Sequence, residues 1–271
     1  MTRTIRTLAL PEIATLLDWA AAEGWNPGLN DAVAFQAADP SGFFGAFVDE
    51  RMVAGISAVA YDAAFGFIGL YICHPDWRGQ GHGKAVWDAG MAYLGERTIG
   101  LDGVPEQQAN YAAMGFVPAY ETIRMSGTLT SDHTADRQIP PVAPFEEIRD
   151  LDRQCFPARR DDFLRVWLAQ PNRSMVHRGG GCVDGYAVLR PCRSGAKVGP
   201  LFAYDMGAAV YLLATVSGPV QIDVPAVQAD WLDALATRGL EPGFRTKRMY
   251  RGALPTIRLD RVFGVSSLEL G

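Results

Sequence analysis

The sequence predicts an α/β fold present twice, in residues 1–128 and again in 142–271, with a linker over 129–141. Three observations carry that reading. Helix-period segments alternate with short apolar strands, a glycine loop joins a buried strand to a helix at Ile68 to Lys84, and the chain repeats itself at a spacing of about 124 residues. Four anchors of the repeat fall in order. Gly115-Phe-Val-Pro118 matches Gly239-Leu-Glu-Pro242, Arg124-Met125 matches Arg248-Met249, Leu101-Asp-Gly-Val-Pro105 matches Ile222-Asp-Val-Pro225, and Gly69-Leu-Tyr-Ile-Cys73 matches Gly199-Pro-Leu-Phe-Ala203.

Pro11 to Glu23 carries Ile13, Leu16, Leu17 and Ala20 at helical spacing and stops at Gly24-Trp-Asn-Pro-Gly28. Ala32 to Ala38 suits a short second helix. Phe43 to Val48 and Val53 to Tyr61 are rich in apolar residues on either side of Asp49-Glu50-Arg51, which predicts an antiparallel pair. The central strand leads into the glycine loop, followed by a helix over Ala85 to Gly95, a strand over Thr98 to Val104 and a helix ending near Tyr111. Thr128 to Pro144 replaces apolar periodicity with Thr, Ser, Asp and Pro, as linkers do. Beyond it, Phe145 to Asp152 and Asp161 to Ala169 read as helices, the latter capped by Arg159-Arg-Asp-Asp162.

The glycine loop is built to cradle a diphosphate. Gly79, Gly81 and Gly83 allow backbone N–H groups to converge, and the helix starting near Lys84 adds the positive end of its dipole. A P-loop would need glycine where Arg78 stands and a hydroxyl where Ala85 stands. A dinucleotide fingerprint beginning at Gly79 would need glycine at Lys84. What remains is Arg-x-x-Gly-x-Gly from Arg78 to Gly83, and downstream Tyr-Ala-Ala-Met-Gly-Phe from Tyr111 to Phe116. Together, in this order, they resemble the GNAT superfamily of N-acyltransferases.

That resemblance implies, in each copy, a mixed and mostly antiparallel sheet flanked by helices, and in the first copy an acetyl-CoA-dependent N-acetyltransferase. Arg78, Gly79, Gln80, Gly81, His82 and Gly83 would hold the pyrophosphate, with Lys84 beside them. Backbone N–H groups near Ile72 and Cys73 would polarise the thioester carbonyl, and Tyr111, a phenol protonated at neutral pH, would donate to the leaving thiolate. The connection after the first helix would border the acceptor, which makes Trp25 and Asn26 candidate substrate contacts. The family's asparagine six or seven residues before the tyrosine is missing, since Val104 and Pro105 stand there. For the general base, Phe65 to Ile72 offers no carboxylate, leaving His74, Asp62, Glu50 or a water relay. The Cys73 thiol itself reads as a small buried hydrophobe.

The second copy lacks these parts. Tyr204-Asp-Met-Gly-Ala-Ala follows its central strand with a single glycine, and Leu235 stands four residues before Gly239 where Tyr111 stands before Gly115. It is expected to be a degenerate scaffold whose Cys155 to Arg160 turn closes over the acceptor side of the first. At 48% hydrophobic and 20% charged, with a net charge of −5, the chain suits a globular enzyme and argues against a nucleic-acid surface. No apolar run is long enough to cross a membrane and the opening residues lack a signal-peptide pattern, so a cytoplasmic protein is expected. Four dispersed cysteines and four histidines suggest neither a disulfide framework nor a metal site. The expected partner is a small-molecule amine; small amines, amino acids, aminoglycoside-like drugs and protein N-termini all remain open as acceptors.

Overall fold

A computed structural model describes residues 2–130 and 143–271. Apart from Leu129 and Thr130, the linker expected at 129–141 lies outside the described residues. The first half runs β1 (Arg3–Thr7), α1 (Leu10–Ala22), α2 (Asp31–Ala38), β2 (Phe43–Val48), β3 (Arg51–Ala60), β4 (Phe65–Cys73), α3 (His82–Leu94), β5 (Thr98–Gly103), α4 (Gln108–Ala113) and β6 (Val117–Leu129). The second runs α5 (Phe145–Cys155), α6 (Asp161–Trp167), β7 (Arg173–Gly179), β8 (Cys182–Pro191), β9 (Ala196–Ala203), α7 (Met206–Leu213), β10 (Gly218–Pro225), α8 (Ala229–Thr237), β11 (Glu241–Arg251) and β12 (Val262–Gly264).

All of the strands form one sheet, ordered β1-β2-β3-β4-β5-β11-β6-β10-β9-β8-β7, with β12 beside β9. Pairing is antiparallel except at β4/β5 and β9/β10. The two halves exchange their last strands. β11 of the second half lies between β5 and β6 of the first, and β6 lies between β11 and β10. The repeat seen in the sequence is therefore a two-fold relation about the β6/β11 pair, in which Met125 faces Pro242 and Met249 faces Pro118.

Two buried ion pairs lock the exchange, and both are built from repeat anchors. Arg248 of β11 donates from Nε and Nη2 to Asp102 of β5 at 3.0 and 2.8 Å. Arg124 of β6 donates to Asp223 of β10 at 2.7 and 2.9 Å. Each pair joins a strand of one half to a strand of the other. Burial works against the charge on Arg248, but the Asp102 carboxylate outweighs it and raises its pKa well above the usual value.

The largest hydrophobic cluster among the described residues spans both halves. It joins Leu16 and Leu17 of α1 and Phe35 of α2 to Ile148 of α5 and Trp167 of α6, with Phe35 stacked on Trp167 at 6.0 Å. α1 buries Ile13, Leu16, Leu17 and Ala20, the face its spacing predicts. Each of its larger side chains contributes about 1.5–3 kcal/mol when fully buried. Further clusters lie under α3 and α4, where Met249 of β11 joins the first half, and under α7 and α8, where Ile123 and Met125 of β6 join the second. The Cys155 to Arg160 turn is part of the interior rather than a wall over the acceptor side. Cys155 and Arg160 are buried, and Arg160 pairs with Asp152 at 2.6 Å.

Candidate active site

The site begins where β4 parts from β5. The two strands pair only from Phe65/Thr98 to Ile68/Leu101. Beyond Ile68 the pairing with β3 shifts register between Gly55 and Ser57, so β4 carries an extra residue, and Leu70 takes a left-handed φ of 46°. The bend turns β4 away from β5 and opens a slot. Because N–H direction alternates along an antiparallel strand and His74 donates to Val53 at 2.9 Å, the N–H groups of Tyr71 and Cys73 face the slot while that of Ile72 faces Gly55 on β3.

At the end of β4 the chain passes through the glycine loop into α3. Gly79 and Gly81 have φ of 75° and 81°, and a Cβ on Gly79 would meet nothing within 4 Å. Both glycines are used for backbone direction rather than for close packing. Gly81 is the N-cap of α3 and leaves the first-turn N–H groups without a side-chain cap. Gly83 is different, since a Cβ there would come within 3.1 Å of the Tyr71 hydroxyl. His82 is buried edge-on to Trp77, whereas Lys84 points outward and pairs with Asp88 at 2.6 Å. Arg78 turns back over the strand, donating to the Cys73 carbonyl at 3.1 Å and pairing with Glu23 after α1. Gln80 donates to the Asp76 carbonyl at 3.3 Å.

From the slot a cavity of about 560 Å³ runs into the molecule, lined by β4, by Asp102 and Tyr111, and by residues of the second half. Tyr111 is stacked on Trp87 at 5.5 Å, and burial pushes its phenol well up, so it stays protonated. Burial also raises the Cys73 thiol, which donates to the Val53 carbonyl at 3.6 Å. Of the two residues expected at the acceptor, Trp25 lines the cavity, its carbonyl held by Arg124 at 3.0 Å and Lys197 at 2.8 Å. Asn26 instead turns its amide to the second half, donating to the Ser194 carbonyl at 3.0 Å and to Gln221 at 3.1 Å. His74, Asp62 and Glu50 are not among the lining residues. His74 packs edge-on to Trp19, and Asp62 accepts from the N–H groups of Ala64 and Phe65 in the β3–β4 turn.

The second half reaches the cavity by two routes that sequence reasoning missed. The exchanged β11 brings Phe244 and Thr246, and the segment after β12 brings Leu268 and Glu269. This last segment crosses both central strands at the matched glycines. A Cβ on Gly199 would lie 2.5 Å from the Val265 carbonyl oxygen, and one on Gly69 would lie 2.0 Å from that of Glu269. The paired glycines in the sequence were the available signal, but a glycine in a strand does not say what approaches it.

The equivalent slot in the second half is closed. β9 and β10 part after Val198/Ile222, as β4 and β5 do, but β12 fills the gap, pairing Val262 with Phe202 and Gly264 with Leu201. α7 is capped by Asp205, whose carboxylate accepts from the Ala208 N–H at 2.9 Å and puts a negative charge where an anion would bind. Leu235 is fully buried at the position matching Tyr111. Among the described residues no group of His, Cys, Asp and Glu could hold a metal ion, and no helix is long and apolar enough to cross a membrane.

Residues 10–117 match the acetyltransferase (GNAT) family and residues 148–264 match an acetyltransferase (GNAT) domain. The holothin acyltransferase of Pseudoalteromonas sp. (strain SANK 73390) is 30% identical, in an alignment that covers 100% of this chain and 95% of that protein. Among solved structures, a candidate acetyltransferase from Pyrococcus horikoshii superposes with a TM-score of 0.80 at 19% identity, over 99% of this chain and 96% of its own. A tandem GNAT protein from the clavulanic acid biosynthesis pathway superposes with a TM-score of 0.61 at 16% identity, over 93% and 100%. With both halves matched, an open slot in the first and a closed one in the second, the chain belongs to the GNAT acetyltransferases as a tandem member with a degenerate C-terminal copy.

Proposed function

We propose that this protein is an acetyl-CoA-dependent N-acetyltransferase that acylates the amine of a small molecule by direct attack. The observation that carries the reading is the uncapped start of α3 following directly on β4, whose unpaired end lines a cavity walled by Tyr111 and by both halves. The glycine loop and the first turn of α3 suit the diphosphate of the co-substrate, whose thioester supplies the activated acyl group. Backbone N–H groups at Tyr71 and Cys73 are suited to stabilise the oxyanion, which is worth about 2.7–4 kcal/mol per donor in other acyl transfers. Tyr111, held protonated by burial, returns a proton to the sulfur. Trp25, Leu70, Phe244 and Leu268 give the acceptor end an apolar lining around a few carboxylates, which suits a compact amine rather than an extended chain.

The test is thiol release from acetyl-CoA in the presence of a panel of primary amines. Amine-dependent release with a matching N-acetyl product is expected. Acetyl-CoA binding with no release above hydrolysis for any amine would mean an idle binding module instead.

A further inference from the structure

We propose that Glu269, carried by the segment after β12, is the general base of the first half, and that the acceptor is a primary amine that arrives as its ammonium ion. The proposal rests on the acyl-transfer reading above. Four carboxylates line the cavity among the described residues: Glu23, Asp102, Glu106 and Glu269. Glu23 is engaged by Arg78, Asp102 is held at two points by Arg248, and Glu106 is exposed on the turn before α4. Glu269 differs from all three. It is 3% exposed and lines the cavity, its carboxylate makes no direct ion pair or hydrogen bond, and the cations whose field it shares, Arg124, Arg190 and Lys197, are held by Asp223, Asp31 and the Trp25 carbonyl. A largely buried residue whose carboxylate has no direct partner calls for an explanation, and a role toward a bound ligand is one.

The surrounding structure is arranged to keep it there. The Glu269 carbonyl lies against Gly69 and accepts from the Ser57 hydroxyl at 3.3 Å, and the Leu270 carbonyl accepts from Tyr61 at 2.8 Å. Ser266 is held through its hydroxyl by Arg160 at 2.7 Å and through its carbonyl by Arg190 at 3.3 Å. β4 offers no carboxylate of its own, and Gly69 gives up its side chain so that this segment can deliver one to the same strand.

Chemically, the Glu269 carboxylate takes one proton from the ammonium, and the neutral nitrogen attacks the thioester carbonyl to form the C–N bond. Collapse of the tetrahedral adduct breaks the C–S bond, and the sulfur takes the Tyr111 proton. The extra proton on nitrogen then restores Tyr111 through water, and the Glu269 proton leaves to solvent. One ammonium and one thioester give one amide, one thiol and one proton.

Glu269→Gln keeps the shape and removes the base. With acetyl-CoA as donor and benzylamine and related alkylamines as acceptors, kcat/KM should fall about 100- to 10,000-fold. Acetyl-CoA binding by calorimetry and the thermal midpoint should stay as in the parent. Aniline and other arylamines, which are already free bases at neutral pH, should lose less than about tenfold. Equal losses for both amine classes, an unchanged rate, or a loss explained by a lower thermal midpoint would each overturn the assignment while leaving the acyl-transfer reading intact. A parent that acylates no amine of either class would overturn both.

Discussion

Burial keeps the Tyr111 phenol protonated. It sits on Trp87 with its pKa pushed up, as the acid role proposed for it requires. Tyr111→Phe keeps the ring and its packing, so acetyl-CoA affinity should hold while turnover falls about 10- to 1000-fold. Steady-state kinetics beside a calorimetric titration checks this, and an unaltered rate would make Tyr111 a packing residue. Tyr111, Cys73 and Trp25 were legible in the sequence because each lies inside or next to a local motif. Glu269 was not. It has no motif around it, and its place depends on a backbone contact with Gly69, two hundred positions away along the chain.

At the scale of elements, most helices and the central strands followed from period and punctuation, with α5 extending to Cys155 and α3 starting at His82. The short edge strand β1 has no clear alternation, and which strand lies beside β5 is set by partners far away in the chain. Even so, the ion pairs that fix the exchange are sequence anchors, visible as Asp102 with Asp223 and Arg124 with Arg248. Replacing one partner strands the other. Arg124→Met should cost about 3–5 kcal/mol, and adding Asp223→Leu should recover most of it. Burial opposes the Asp223 charge, yet Arg124 and Lys197 hold its pKa below the usual carboxylate value. A depressed folded value gives stability that is complete above the unfolded pKa, about 3.9, and is lost as pH falls through the folded one. Urea midpoints for the parent and Arg124→Met should therefore differ by a constant amount at neutral pH and converge in acid.

For the whole molecule, the exchange means that neither half is a finished unit. Residues 1–128 lack β11, the Arg248 that neutralises buried Asp102, and the segment that carries Glu269. The final segment has two opposite effects. As β12 it plugs the slot between β9 and β10, and a few residues later it packs on Gly69 and lines the slot between β4 and β5. The repeat showed that the second copy had lost its glycine loop, but not that its slot was filled, because the filling strand comes from outside the repeated anchors. One open cleft per chain, following the glycine loop and lined by both halves, is the central structural consequence. A calorimetric titration of the full chain with acetyl-CoA, run beside Gly81→Val, tests it most directly. Gly81 has a φ of 81°, so valine strains the loop at the N-cap of α3. One site per chain is expected for the parent, with binding weakened by about 2 kcal/mol or more in a variant whose circular dichroism is unchanged. Two sites per chain, or parent-like binding by Gly81→Val, would contradict the account.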